Sequence, residues 1–191
     1  MRRVLVCYDY RMKILYVRHG KSIANATASV STPDTPLAEE GLEQARATGQ
    51  DLKGHNVTNI VCSSYIRAQQ TAEIIAGELG IPLSDIAVIN ELHERDMGRL
   101  EGTPEQHPKE FFYENDVEEG FESHQDLIAR MSVAIDKVKQ MAKTATGTTI
   151  VVGHTVSGFY FMQVAKGKTT FEDFDPINEM GNAEFIEVEL G

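Results

Sequence analysis

Short runs rich in β-branched residues alternate along this chain with stretches of helical periodicity, and that alternation is what most narrows its fold. Lys13–Val17, Asn59–Cys62, Ile86–Ile89, Thr148–Val152 and Ala183–Leu190 read as strands. Between them, residues 39–53 place Leu42, Ala45, Gly49 and Leu52 on one helical face. Tyr65–Leu79 carries Ala68, Ala72, Ile75, Ala76 and Leu79 at helical spacing, with Gly80 and Pro82 as a stop. A longer helix over residues 123–143 buries Ile128, Met131, Ile135 and Val138, and another follows Val152 and runs through Phe161. Strands alternating with helices predict an α/β fold: a three-layer α/β/α sandwich around a mostly parallel central sheet.

At 191 residues the chain reads as one domain, residues 1–191, long enough to bury roughly 70% of its unfolded surface. Two stretches resist the pattern. Residues 1–11 read as an N-terminal extension, because Met12 leads directly into the first strand. Residues 103–122 follow neither period and read as a loop or small helical insertion, placed as a lid.

The formal charge of −11 argues against nucleic-acid or anionic-membrane partners, which want a basic face. Any anion must therefore be met by a local cationic pocket. No apolar run approaches the about 18 residues that a membrane span needs, and the patch near the N-terminus is too brief for a signal-peptide core. Cys7 and Cys62 do not make a disulfide framework, and Cys62 reads as a buried thiol. A cytoplasmic chain is predicted.

The stretch Tyr16–Asn25, YVRHGKSIAN, holds the decisive ambiguity. Gly20-Lys21-Ser22 matches the end of a phosphate-cradling P-loop, but that motif needs a glycine where Leu15 stands, inside an apolar strand. The P-loop reading fails. Arg18 and His19 follow the first strand, Arg67 opens the helix after the second, Glu94 follows the third, and His154 follows Thr148–Val152. Each lies just beyond a strand's carboxyl end, where open α/β sheets bind ligands.

Two arginines and two histidines, with Asn25 nearby, form a donor-rich pocket matched to a phosphoryl group. A histidine among such cations is biased toward its neutral form, with a ring nitrogen free to attack. Glu94 is the carboxylate placed to protonate a leaving oxygen. His55, His93, His107 and His124 show no metal-ligand spacing and read as surface or lid residues. Phe111, Phe112 and Tyr113 read as packing for the insertion.

The ordered set resembles the histidine phosphatase superfamily, branch 1, also called phosphoglycerate mutase-like. It comprises Arg18-His19-Gly20 with Ser22 and Asn25, Pro36-Leu37 with Gly41 and Gln44-Ala45, and Ser63-Ser64-Tyr65-Ile66-Arg67-Ala68 with Thr71-Ala72. It continues through Leu92-His93-Glu94 with Gly98 and Glu101-Gly102, Glu122-Ser123 with Arg130, Val152-Gly153-His154 and Asn182-Ala183. The resemblance spans residues 13–190. It implies a phosphoglycerate mutase-like fold and a phosphohistidine intermediate on His19. Arg18, Asn25, Arg67, His154 and Ser22 would bind the phosphoryl group, with Glu94 as acid and then base. It implies no metal and no other cofactor. Ala38 replaces the usual hydroxyl helix cap, and Phe121 is an extra residue in the Glu122 segment.

Three functions follow: a metal-independent phosphomonoesterase acting on a small phosphorylated substrate, a cofactor-dependent phosphoglycerate mutase, and an inactive phosphate-binding scaffold. A mutase needs extra cations for a second anionic group. Between Thr103 and Ala129 the chain has one, Lys109, against Glu105, Glu110, Glu114, Asp116, Glu118, Glu119, Glu122 and Asp126. The scaffold reading would accompany loss of His19, Glu94 or His154, and all are present. The phosphatase reading is favoured, with substrate and oligomeric state open.

Overall fold

The computed structural model describes residues 12–115 and 120–191; the expectation for residues 1–11, and the part of the insertion at 116–119, lie outside them. In chain order the elements are β1 (Met12–Arg18), α1 (Ile23–Ala26), α2 (Glu39–Asp51), β2 (Val57–Ser63), α3 (Ile66–Leu79) and β3 (Ile86–Ile89). Then come α4 (Phe111–Glu114), α5 (His124–Ala142), β4 (Thr148–Gly153), α6 (Val156–Ala165) and β5 (Phe185–Leu190). Every strand and long helix expected from the sequence is present, with ends moved by a few residues. Among the described residues of the insertion, the single turn α4 is its only helix or strand.

The sheet runs β3-β2-β4-β1-β5. Four strands are parallel, and β5 closes the edge antiparallel to β1, Met12 facing Leu190 and Val17 facing Phe185. The central strands are covered on both faces, which is why they read as unbroken apolar runs: Ile14–Val17 and Ile150–Val152 are all buried. On one face Leu15, Val17, Ile60, Cys62, Ile150 and Val152 pack against Ala68, Ala72, Ile75 and Ala76 of α3, with α2 laid over α3. On the other, Ile14, Tyr16, Val61 and Val151 meet the apolar stripes of α5 and α6. These are the three layers.

Helix ends follow local chemistry. Gly80 closes α3 in the left-handed conformation at φ 72°. Ser123 caps α5 by accepting the Asp126 N–H. Ala38 stands at the start of α2 without a side-chain cap, and the anions Glu39 and Glu40 in the first turn partly compensate. Among the described residues no helix is long and apolar enough to cross a membrane. The α5 face is shifted from the expected one: Leu127 and Ala134 are buried with Met131, Ile135 and Val138, while Ile128 is only half-buried.

One side chain ties the sheet to the turn that carries His154. Tyr16 Oη accepts the His154 N–H at 3.0 Å and contacts its carbonyl oxygen at 3.3 Å. Its ring lies so close to Gly153 and Gly158 that a Cβ there would fall 2.0 and 2.7 Å from the phenol oxygen. Both positions need glycine for space. Gly158→Ala should thus lower stability by about 1 kcal/mol or more, although alanine is the better helix former, because the overpacking outweighs the propensity gain. Urea denaturation checks this; a higher midpoint for the variant would contradict it.

Candidate active site

All four parallel strands deliver their carboxyl ends to one edge, and the loop Arg18–Gly20 leaves β1 at its centre. Backbone hydrogen bonds hang this loop between neighbours: Arg18 N–H to Glu184 O at 3.0 Å, His19 N–H to Gly153 O at 3.0 Å, and Ala183 N–H to His19 O at 3.2 Å. Gly20 donates to Thr71 Oγ1 at 3.1 Å. A Cβ on Gly20 would strike the Gly41 carbonyl oxygen at 2.4 Å, so the start of α2 can approach only a glycine there.

His19 is 4% exposed. Its Nδ1 lies 2.7 Å from the Gly20 carbonyl, which only accepts, so Nδ1 carries the proton. Nε2 is left with its lone pair, and Arg67 Nε donates to it at 3.2 Å. Burial, reinforced by the Arg67 and Arg18 charges, holds the imidazole well below the usual histidine range. His154 is fully buried with its ring centroid 5.1 Å from that of His19, and its Nε2 shares a hydrogen bond of 2.7 Å with Ser63 Oγ. Burial and then Arg67 lower its pKa in the same direction.

Each of the two arginines donates from Nη1 to a backbone oxygen. Arg67 Nη1 donates to the Thr32 carbonyl at 2.8 Å and its guanidinium lies 5.1 Å from the Tyr65 ring centroid. Burial brings its pKa to about 10, still firmly cationic at neutral pH. Arg18 Nη1 donates to the Met180 carbonyl. A carbonyl satisfies an N–H without cancelling the charge. The site therefore keeps its positive potential.

Glu94 occupies the start of α6. Its Oε2 accepts the Thr155 and Val156 N–H groups at 3.1 and 3.2 Å, and Oε1 accepts those of Ser157 and Arg95 at 2.7 and 2.9 Å. Thr155 itself makes no side-chain cap, so Glu94 caps α6 from a distant loop. The carboxylate is a fixed element, not a solvated surface group. Arg130 holds that loop by donating to the carbonyls of Glu91, His93 and Glu94, and is itself gripped by both Glu122 oxygens at 2.6 and 2.5 Å. The extra Phe121 leaves the Glu122–Arg130 pair intact.

Arg18, His19, Asn25, Arg67 and Glu94 all line one cavity of about 640 Å³. His154 lies behind His19. Ser22 does not join the cavity wall. It is buried, accepts the Asn25 N–H at 3.1 Å and donates to Asn25 Oδ1 at 2.9 Å, so it orders the loop and fixes the Asn25 side chain. Its hydroxyl is engaged within the loop by Asn25 and Ser31.

His93 and His124, expected at the surface or in the lid, are half-buried: His93 stacks on Tyr65 at 5.6 Å and His124 on Phe171 at 4.1 Å. His107 and His55 are exposed as expected, and His107 stacks on Phe111 at 4.0 Å.

Arg95 went unread in the sequence. It is 1% exposed and donates to the carbonyls of Phe112, Tyr113, Asn115 and Glu122, binding the insertion to the residue beside Glu94. Its adjacency to Glu94 was the one available signal. Asn182 was seen only as a motif member; its Nδ2 reaches the His19 carbonyl at 3.4 Å.

A model of the histidine phosphatase superfamily, branch 1, matches residues 14–190. The chain belongs to that family. A probable phosphoglycerate mutase GpmB of Yersinia pestis (strain Pestoides F) is 35% identical over 94 residues, 49% of this chain and 42% of that protein's length. The match thus spans less than half of these relatives. Similar solved structures include a putative α-ribazole-5′-phosphate phosphatase of Escherichia coli (TM-score 0.77, 21% identity, 95% of this chain and 91% of that one). A mycobacterial glucosyl-3-phosphoglycerate phosphatase in complex with VO3 aligns with TM-score 0.75 and 21% identity over 93% of this chain and 90% of that one. At such identities the likeness is one of fold.

Buried neutral imidazoles couple stability to pH. The unfolded histidines charge near pH 6.5, whereas His19 and His154 in the folded chain resist charging until lower pH. Their contribution is fully present above about pH 6.5 and is lost as the pH falls toward the native values. The slope is up to about 1.4 kcal/mol per pH unit for each ring. His19→Asn should flatten the fall in urea-derived stability just below pH 6.5; an unchanged slope would show that His19 charges freely in the folded state.

Proposed function

We propose that the protein is a metal-independent phosphomonoesterase that works through a phosphohistidine on His19. The observation that carries this reading is the state of His19: Nδ1–H tied to Gly20 O, Nε2 bearing a lone pair that faces Arg67, and the Arg67 and Arg18 charges keeping the ring neutral. The phosphoryl group takes the place beside Nε2, where Arg18, Arg67 and Asn25 meet its oxygens, with His154 packed behind His19. Asn25 offers its amide N–H2, since Oδ1 is held by Ser22. Fixed cations supply the charge stabilisation, so no metal is required.

In the first step the N–P bond forms at Nε2 as the P–O bond to the alcohol breaks, and protonated Glu94 gives its proton to the leaving oxygen. In the second, water attacks phosphorus, the N–P bond breaks, and Glu94 takes the water proton, so inorganic phosphate leaves and the enzyme is restored. Glu94 is kept in place for both steps by the start of α6. Arg130 and Arg95 are positioning residues for that loop.

The mutase reading has the GpmB similarity in its favour. It requires a site for a second anionic group, and the cavity lysines are already engaged, Lys21 with Glu40 at 2.8 Å and Lys109 with Glu179 at 2.7 Å. Hydrolysis of a singly phosphorylated ester is the reading supported best. General acid catalysis contributes about 10²- to 10⁴-fold for a basic leaving group. Glu94→Gln should accordingly slow phosphorylation of the enzyme by an alkyl phosphate by such a factor and by p-nitrophenyl phosphate far less, while His19→Ala abolishes both. Equal slowing of the two esters in Glu94→Gln would remove Glu94 from the acid role.

A further inference from the structure

The phosphoryl group fills only the inner end of the cavity, and the outer chamber has its own chemistry. One wall is apolar: Val30, Met97, Phe112 and Met180, with Tyr65 and Tyr113. Met97, Phe112, Tyr113 and Met180 are nearly or fully buried, so this wall is built by core residues and keeps its shape. Facing it are three carboxylates, Glu101, Glu105 and Glu179. The donors of the outer residues are committed elsewhere: Lys21 to Glu40, Lys109 to Glu179, and the Arg95 Nη1 group to backbone carbonyls of the insertion. Among the described residues no cation lies in ion-pair range of Glu101 or Glu105.

Resting on the phosphatase reading, we infer that this outer chamber selects phosphomonoesters whose alcohol portion is aromatic or otherwise apolar and bears no second anionic group. An apolar ring gains burial against Met97 and Phe112, whereas a carboxylate or second phosphate meets Glu101 and Glu105 with no unengaged cation to receive it. A cationic substituent on the same ring is accepted. Small polyanionic esters, glycerate phosphates and bisphosphates among them, are excluded by charge and not by size, since the cavity has room for them.

The test compares benzyl phosphate, 4-carboxybenzyl phosphate and 4-(aminomethyl)benzyl phosphate by kcat/KM, and the corresponding phosphonates by calorimetry, with the full-length protein. The carboxylated ester should be about fivefold poorer than benzyl phosphate, as one solvent-screened like charge at about 4 Å implies, and the aminomethyl ester equal or better. Glu105→Lys, at an exposed position of the chamber wall, should narrow the ratio between the carboxylated ester and benzyl phosphate measured on the same variant. Hydrolysis of the carboxylated ester as fast as benzyl phosphate would overturn the inference and leave the phosphatase reading standing. No turnover of any ester, with benzylphosphonate bound more tightly than its carboxylated analogue, would overturn the phosphatase reading and leave the selectivity standing. Failure to bind either phosphonate would overturn the selectivity.

Discussion

A buried, neutral imidazole beside the guanidinium groups of Arg67 and Arg18 is the constraint on which the site depends. Such an arrangement survives only if the arginines are held without being neutralised. Carbonyl oxygens do that: Thr32 O for Arg67 and Met180 O for Arg18. A carboxylate in either place would satisfy the same N–H groups but cancel the field that keeps His19 uncharged and draws an anion. The fold supplies those carbonyls from segments that meet only at the carboxyl edge of the sheet.

The Glu94 segment is organised by the same device with the charges reversed. Glu94 takes its ligands from backbone N–H groups at the start of α6, so an anionic side chain completes a helix that has no cap of its own. Arg130 and Arg95 then fasten this loop to α5 and to the insertion through carbonyls. The Glu122–Arg130 pair is only 11–12% exposed, and removing either partner would leave the other charge buried alone. The wall of the outer chamber and the placement of Glu94 are therefore mechanically joined through Arg95, which touches both segments.

Much of this was legible in the sequence, for a physical reason. A parallel sheet covered on both faces leaves long apolar runs, as in Ile14–Val17 and Ile150–Val152, and the polar residues that follow them mark the binding edge. His19, Arg67, Glu94 and His154 stood out because each follows or opens such a run. What could not be read were long-range pairings. Nothing local to Glu94 shows that it caps α6 some sixty residues later, and nothing local to Gly41 shows that its carbonyl presses on Gly20. Ser22 was expected at the phosphoryl group from the family resemblance; its buried hydroxyl is engaged within the loop by Asn25. The insertion lacks a period because its order comes from Arg95 and the core contacts of Phe112 and Tyr113, not from a helical stripe.

The central claim is that His19 attacks phosphorus through Nε2. It is tested most directly by quenching a turnover reaction in base, where phosphohistidine survives, and assigning the modified atom by phosphorus NMR and peptide mapping. The account predicts a phosphoramidate on His19 at Nε2, since Nδ1 is held as N–H by the Gly20 carbonyl. A phosphoryl group on Nδ1, on His154 or on no histidine during active turnover would contradict it.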